Sequence, residues 1–216
     1  MDLSIIDVGL VTKLLLLLLI GMGPKIALVP FLEMTQKFDG PTKAKIGRQM
    51  VLTATITALI LLATGALLMR LLHISGGAVA IAGGIVLTLL ALKMAAGPTE
   101  KHHDDDLGAP VDPEKIAVFP LAIPYLLNPV GITVLIIASD EIVSVASAAL
   151  VVGLVLIVAA FDYLVFTNID VLAKRMKPAS LIISEVVFGI LLTAVAVTLV
   201  ISGLSQLGII SASAAH

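Results

Sequence analysis

Two short stretches set proline beside glycine or an amide inside long apolar segments: Gly21-Met22-Gly23-Pro24-Lys25 and Leu127-Asn128-Pro129-Val130-Gly131. Proline lacks a backbone donor and clashes with the preceding turn, so each stretch frees carbonyls upstream of it. Glycine lets a ligand approach the backbone. Asn128 adds an amide that both donates and accepts, and Ile132-Thr133-Val134 begins a new half-helix whose first amides attract an anion. Such groups suit a small polar solute with a carboxylate. Gly23, Pro24, Lys25, Asn128, Pro129, Gly131 and Thr133 are therefore the expected substrate-binding set. Lys25 suits a carboxylate or a phosphate if it lies at membrane depth, and is interfacial if the first span ends early.

Asp162, in Ala159-Ala160-Phe161-Asp162-Tyr163, and Glu185, in Ile183-Ser184-Glu185-Val186, are acids within apolar segments. An intramembrane acid is by default a functional candidate. Each can carry a proton, bind a cation or neutralise Lys25, and each also lies near enough to a predicted helix end to serve as an interfacial acid. They are the coupling or ion-binding candidates. The run His102-His103-Asp104-Asp105-Asp106 lacks helical metal-site spacing and reads as a solvated loop. No cofactor motif, metal ligand set or nucleophile-base pair is read from the chain, so an enzyme is not expected.

The elements that must position these groups are membrane spans. Of 216 residues, 59% are apolar and 13% charged, with mean hydropathy +1.16, far from a soluble domain's balance. Cysteine is absent, which removes disulfides and thiol chemistry; a net charge of −2 gives no reason to expect nucleic acid as a partner. Tryptophan is absent too, leaving Tyr125, Tyr163 and the phenylalanines to anchor at the interface. The start of the chain, Lys13 followed by Leu14 to Ile20, has some look of a signal peptide. However, it has no A-x-A site and Pro24 falls where cleavage would be. It reads as half of a broken span.

Segments of about 20 apolar residues recur over 5–34, 46–72, 76–96, 116–139, 142–168 and 181–207. The expected fold is all-α: one transmembrane domain of six helices, with helices one and four broken. A polar loop over 97–115 separates repeat one (1–97) from repeat two (116–207). Lysine and arginine cluster in the odd-numbered loops, at Lys37, Lys43, Lys45 and Arg48, at Lys93, Lys101 and Lys115, and at Lys174, Arg175 and Lys177. The positive-inside rule then puts those loops in the cytoplasm and both termini outside. At one offset of 105, Pro24 meets Pro129, Arg70 meets Arg175, Gly84-Ile85 meets Gly189-Ile190 and Leu87-Thr88 meets Leu192-Thr193. Three spans per half make the repeat an inverted one, with its breaks facing each other near the midplane. Gly76, Ala80 and Gly84 form a small-residue face on span three, with Gly189 at the partner position on span six, which suits close helix packing.

With these segments in view, the chain resembles the MarC family of six-span prokaryotic membrane proteins. The resemblance rests on Pro120-Leu121-Ala122-Ile123-Pro124, on Asn128-Pro129-Val130-Gly131-Ile132-Thr133 and on the Ala82-Gly83-Gly84-Ile85 core of span three, and it covers nearly all the chain. It implies a cytoplasmic (inner) membrane protein of the wider LysE-like group, some of whose members are described as neutral amino-acid transporters. The chain departs from the family's first motif, which resembles D/N-P-x-G-N-x-P: here the stretch is Gly23-Pro24-Lys25-Ile26-Ala27-Leu28-Val29-Pro30. Where relatives often carry arginine before the span-three and span-six glycines, this chain has Ala80 and Glu185, so Lys25 and Glu185 are candidates for a swapped pair.

The expectation is a secondary transporter of small polar solutes, most of all neutral amino acids, working by alternating access at the two breaks. An ion or metal permease, or a non-transporting membrane partner, are the alternatives. The expected partners are the solute and the lipid bilayer, with a homo-oligomer left open.

Overall fold

A computed structural model describes residues 8–96, 112–173 and 178–210, and for residues 8, 10, 173 and 178–185 it describes the backbone alone. The histidine-aspartate run at 102–106 and the cluster Lys174, Arg175 and Lys177 lie outside the described residues.

All the regular structure among the described residues is helical: α1 (Val8–Met22), α2 (Pro24–Met34), α3 (Gly40–Leu72), α4 (Gly76–Ala95), α5 (Pro113–Ile116), a wide-turned helical segment (Ala117–Leu126), α6 (Pro129–Glu141), α7 (Val145–Thr167), α8 (Ile169–Ala173) and α9 (Pro178–Gln206). Five helices are long and apolar enough to cross a membrane, Val11–Met34 counting as one, and Pro113–Leu126 with Pro129–Glu141 forms a bent pair that makes a sixth if taken as a single span. The two breaks therefore differ in kind. At Gly23 a single extended residue (φ −82°, ψ 164°) interrupts the first span, which otherwise runs on. In the fourth segment the two half-helices meet at 71°.

The fourth segment also departs from a plain span before its break. Phe119 and Ile123 are extended (φ −135° in both), and each precedes a proline joined by a cis peptide bond. Proline crowds the residue before it out of the helical region. Two such residues four apart open the turns between them.

Local sequence sets most of the other boundaries. The Asp39 side chain accepts from the Thr42 N–H and starts α3. α3 ends at His73 in the left-handed region (φ 53°), where the N–H of Ile74 reaches back to the Met69 carbonyl at 2.9 Å, as in a Schellman turn. Ser75 then caps α4 through the N–H of Ala78. At 33 residues α3 is about 50 Å long, well beyond a hydrocarbon layer of about 30 Å. Its first turns carry Lys43, Lys45 and Arg48 beyond the apolar stretch. Lys43 pairs with Asp170 on α8 at 3.6 Å and Lys45 with Glu114 on α5 at 3.0 Å. At the far end Arg70 pairs with Asp140 of α6 at 3.5 Å.

The core lies where α3 packs on α6, α7 and the 117–126 segment. Ala54, Ala58, Leu62, Gly65 and Met69 line its buried stripe, while Leu52, Ile56, Ile60 and Leu67 on the same helix are exposed, as a lipid-facing surface requires. α4 and α9 form an antiparallel pair held by small residues. A Cβ on Gly84 would come within 2.8 Å of the Ala196 carbonyl and 2.7 Å of Val200. One on Gly189 would come within 2.9 Å of the Ala91 carbonyl and 2.5 Å of Ala95. The two contacts interchange when each residue is replaced by its counterpart 105 positions away. Thr88 and Thr193 repeat the pattern, each hydroxyl donating to the carbonyl of the glycine four residues back, at 2.8 and 2.9 Å. Close backbone approach through small residues is how helices associate in lipid, where no hydrophobic drive between them remains.

Candidate functional site

In an unbroken helix the carbonyls of Ile20 and Gly21 would accept from the N–H groups of residues 24 and 25. Pro24 has no N–H, and the extended Gly23 turns the chain aside, so neither carbonyl is served from within the span. Unpaired carbonyls in a membrane interior cost several kcal/mol each. Both find partners on one residue from the other half of the chain. The Asn128 backbone N–H donates to Gly21 O at 2.9 Å, and the Asn128 side-chain amide donates to Ile20 O at 2.7 Å.

The same side chain serves its own helix. Asn128 is the N-cap of α6, its Oδ1 accepting from the N–H of Val130 at 2.8 Å and of Gly131 at 3.3 Å, which satisfies two of that helix's first donors. Pro129 follows as the first helical residue, where a missing N–H costs nothing. The approach that allows these bonds depends on glycine: a Cβ on Gly21 would collide with the Gly131 backbone, and one on Gly131 with the Gly21 carbonyl. Asn128 is fully buried.

The expected site residues fall into three places. Gly23 and Pro24 create the open carbonyls, and Asn128, Pro129 and Gly131 close on them. Thr133, also buried, stands one turn into α6 with its hydroxyl against Gly83 of α4, which ties the α4–α9 pair to the junction. Lys25 lies apart. It is exposed, about 14 Å along the helix from Met34, and its ammonium sits 4.8 Å from the centre of the Phe188 ring on α9, a cation-π contact. Glu185 lies three residues before Phe188 on α9, and its side chain is outside the described residues. Asp162 is buried on α7, with neither carboxyl oxygen hydrogen-bonded.

Some of the arrangement was out of reach of sequence reasoning. The partners of Asn128, Ile20 and Gly21, are ordinary-looking residues in a leucine-rich run, and only the missing N–H of Pro24 hints that Ile20 needs a donor. The ring pair Phe31–Phe166, with centroids 5.1 Å apart, carries no motif. A depression of about 670 Å³ at the α3–α4 turn, lined by Arg70, His73, Ser75 and Asp140, is at the far end of α3 from Lys43 and Lys45.

The chain matches the MarC family of integral membrane proteins over residues 8–208. It is 28% identical over 184 residues to a UPF0056 membrane protein of Methanocaldococcus jannaschii, covering 85% of this chain and 90% of that one. It is 26% identical over 177 residues to a UPF0056 membrane protein of Archaeoglobus fulgidus, covering 82% and 83%, and 24% identical over 196 residues to one of Pyrococcus horikoshii, covering 89% and 94%. No solved structure matches.

Proposed function

The chain belongs to the MarC family of integral membrane proteins, and on that premise we propose that it is a secondary transporter of small polar solutes, with neutral amino acids as the substrate class. The observation that carries this reading is the closure of two proline breaks on each other through Asn128. That junction stores two carbonyls, of Ile20 and Gly21, beside two amides, of Val130 and Gly131, all four held by one residue. A zwitterion offers the complementary pair: an ammonium for the carbonyls and a carboxylate for the amides at a half-helix N-terminus. Solute would take over these groups as Asn128 withdraws, so that the site opens without leaving backbone unpaired. Lys25, exposed at depth beside Phe188, would hold a carboxylate on its way in.

The reciprocal contacts of Gly84 and Gly189 support reading the halves as an inverted repeat, whose rocking against each other would alternate access. The positive-inside pattern supports a prokaryotic cytoplasmic membrane with both termini outside.

The test is counterflow in proteoliposomes loaded with a panel of neutral amino acids, with Asn128→Leu measured alongside. Saturable exchange in the wild type, lost in the variant, is the expected outcome. No exchange from well-folded protein would overturn the amino-acid reading, leaving ions or a non-transporting role. Exchange unchanged in the variant would move the solute away from the junction.

A further inference from the structure

Asp162 is the buried charge that the junction does not use. Its residue is wholly inaccessible, and neither carboxyl oxygen has a hydrogen-bond partner among the described residues. Its own helix face is apolar: Val158, Ala159 and Phe166 are buried beside it. Across from it runs α3, antiparallel, as Gly40 meeting Asp170 and Gly47 meeting Phe166 require. This register sets Asp162 level with the 50–54 stretch of α3, where Met50, Val51 and Ala54 are buried. One turn further along α7, Phe166 packs at a tilt against Phe31 of α2, and both rings are fully buried. They seal Asp162 from the α8 end.

No charged group on the helices packed against α7 pairs with Asp162. On α3, Lys43 and Lys45 are paired with Asp170 and Glu114, and Arg70 with Asp140, while Arg48 lies 5.9 Å from the Tyr163 ring. Lys13 of α1 and Glu33 of α2 are exposed, Lys25 of α2 lies over Phe188, and Asp170 of α8 is taken by Lys43. An ionised carboxylate without a partner is too costly for such a place. A metal cation would need several oxygen ligands around it, and no group of three or more acids or histidines that could hold one occurs among the described residues. A proton needs only the carboxylate.

Building on the transporter reading, we propose that Asp162 is the proton-carrying group of the transport cycle, held here as a neutral acid behind the Phe31–Phe166 pair. Water entering from one side delivers a proton to a carboxylate oxygen. The closed state shields the neutral acid while it is carried. Separation of the two rings then lets the O–H bond break to water on the other side. Each passage of the neutral acid through the closed packing carries one proton. The return passage is made with the carboxylate ionised and hydrated, in a wetter state than this one, so that one proton crosses net per cycle.

The experiment is infrared spectroscopy of the full chain in lipid nanodiscs at neutral pH, in wild type and Asp162→Asn, and in wild type carrying 13C-labelled aspartate. The expected result is a protonated-carboxyl C=O band that shifts with the 13C label, vanishes in the variant, and moves within minutes when H2O is replaced by D2O. Opening the seal with Phe31→Ala should speed that exchange at least several-fold. The 13C label marks every aspartate of the chain and shows that the band belongs to an aspartic acid. Where Asp162→Asn folds poorly, Asp162→Glu identifies the residue, because its acid band should then no longer shift with the aspartate label. A band absent or unmoved by the label shows that Asp162 is ionised and overturns the proposal. A labelled band that stays unexchanged for a day marks a sealed structural acid and also overturns it. Because this readout needs no solute, it is separable from the counterflow result: exchange without the band sinks only the proton role.

Discussion

The Asn128 backbone N–H donates to the carbonyl of Gly21 at 2.9 Å, so the break in the first span is closed from the fourth segment. The carboxamide beside that N–H makes three further bonds, one to Ile20 and two to the start of α6. One residue thus completes the end of one half-helix and the beginning of another.

Replacing Asn128 by alanine should leave the Ile20 carbonyl and the amides of Val130 and Gly131 without partners. Each buried group left so costs about 1–3 kcal/mol. Unfolding of the purified protein in mild detergent should show a loss of that order. Stability equal to wild type would mean that water or a shifted backbone fills the gap.

Gly21→Ala and Gly131→Ala each insert a methyl where the other break's backbone lies. Overpacking of this kind costs about 1–3 kcal/mol, and the combined variant should be no better than either single one. Thermal unfolding of the three proteins checks it, and a fully stable Gly131→Ala would refute the close approach.

Lys25→Gln removes a charge at an exposed position, together with its contact to the Phe188 ring. A hydrogen bond to a charged group is worth about 1.5–3 kcal/mol, so affinity for a carboxylate solute should fall roughly tenfold to a hundredfold while Lys25→Arg stays near wild type. Solute-dependent thermal shifts measure both. Equal affinity in all three proteins would place Lys25 outside the solute path.

Gly84→Val and Gly189→Val should destabilise by similar amounts, because each would push into its partner helix at a matching place, Ala196 and Val200 for Gly84 and Ala91 and Ala95 for Gly189. A core overpacked by one such side chain loses about 1–3 kcal/mol. Reversible unfolding in bicelles compares them. A large loss in one with none in the other would break the symmetry of the α4–α9 pair.

The chain has no cysteine, so single cysteines report orientation directly. His73→Cys should react with a membrane-impermeant maleimide on intact cells, and Lys37→Cys only after permeabilisation. The reverse pattern would invert the topology drawn from lysine and arginine.

Much of this architecture is legible in the order of residues. Long apolar runs gave the spans because hydrocarbon demands them, and Pro24, Pro129 and the small residues of α4 and α9 marked the breaks and the close packing. The differing character of the two breaks was not legible. Pro24 follows one extended glycine in a span that runs on, whereas the Pro129 break joins half-helices at 71°, an angle set by packing. Nor could the buried face of α7 be read from a pattern: leucine and valine serve lipid and protein interior equally, so a membrane helix lacks the polar stripe that reveals the inward side of a soluble one. Asp162, which the order of residues left open as an interfacial acid, is buried.

The bond from Asn128 to Ile20 spans 108 residues, and that separation has a consequence during synthesis. At about 5–20 residues per second, roughly 5–20 s pass between the appearance of Ile20 and that of its donor. For that interval the first segment is a helix with two open carbonyls, a poor guest for lipid. The first segment is therefore completed as a broken span only when the fourth segment emerges. Shortening or lengthening the intervening chain should change the timing of that completion even where the finished fold is the same.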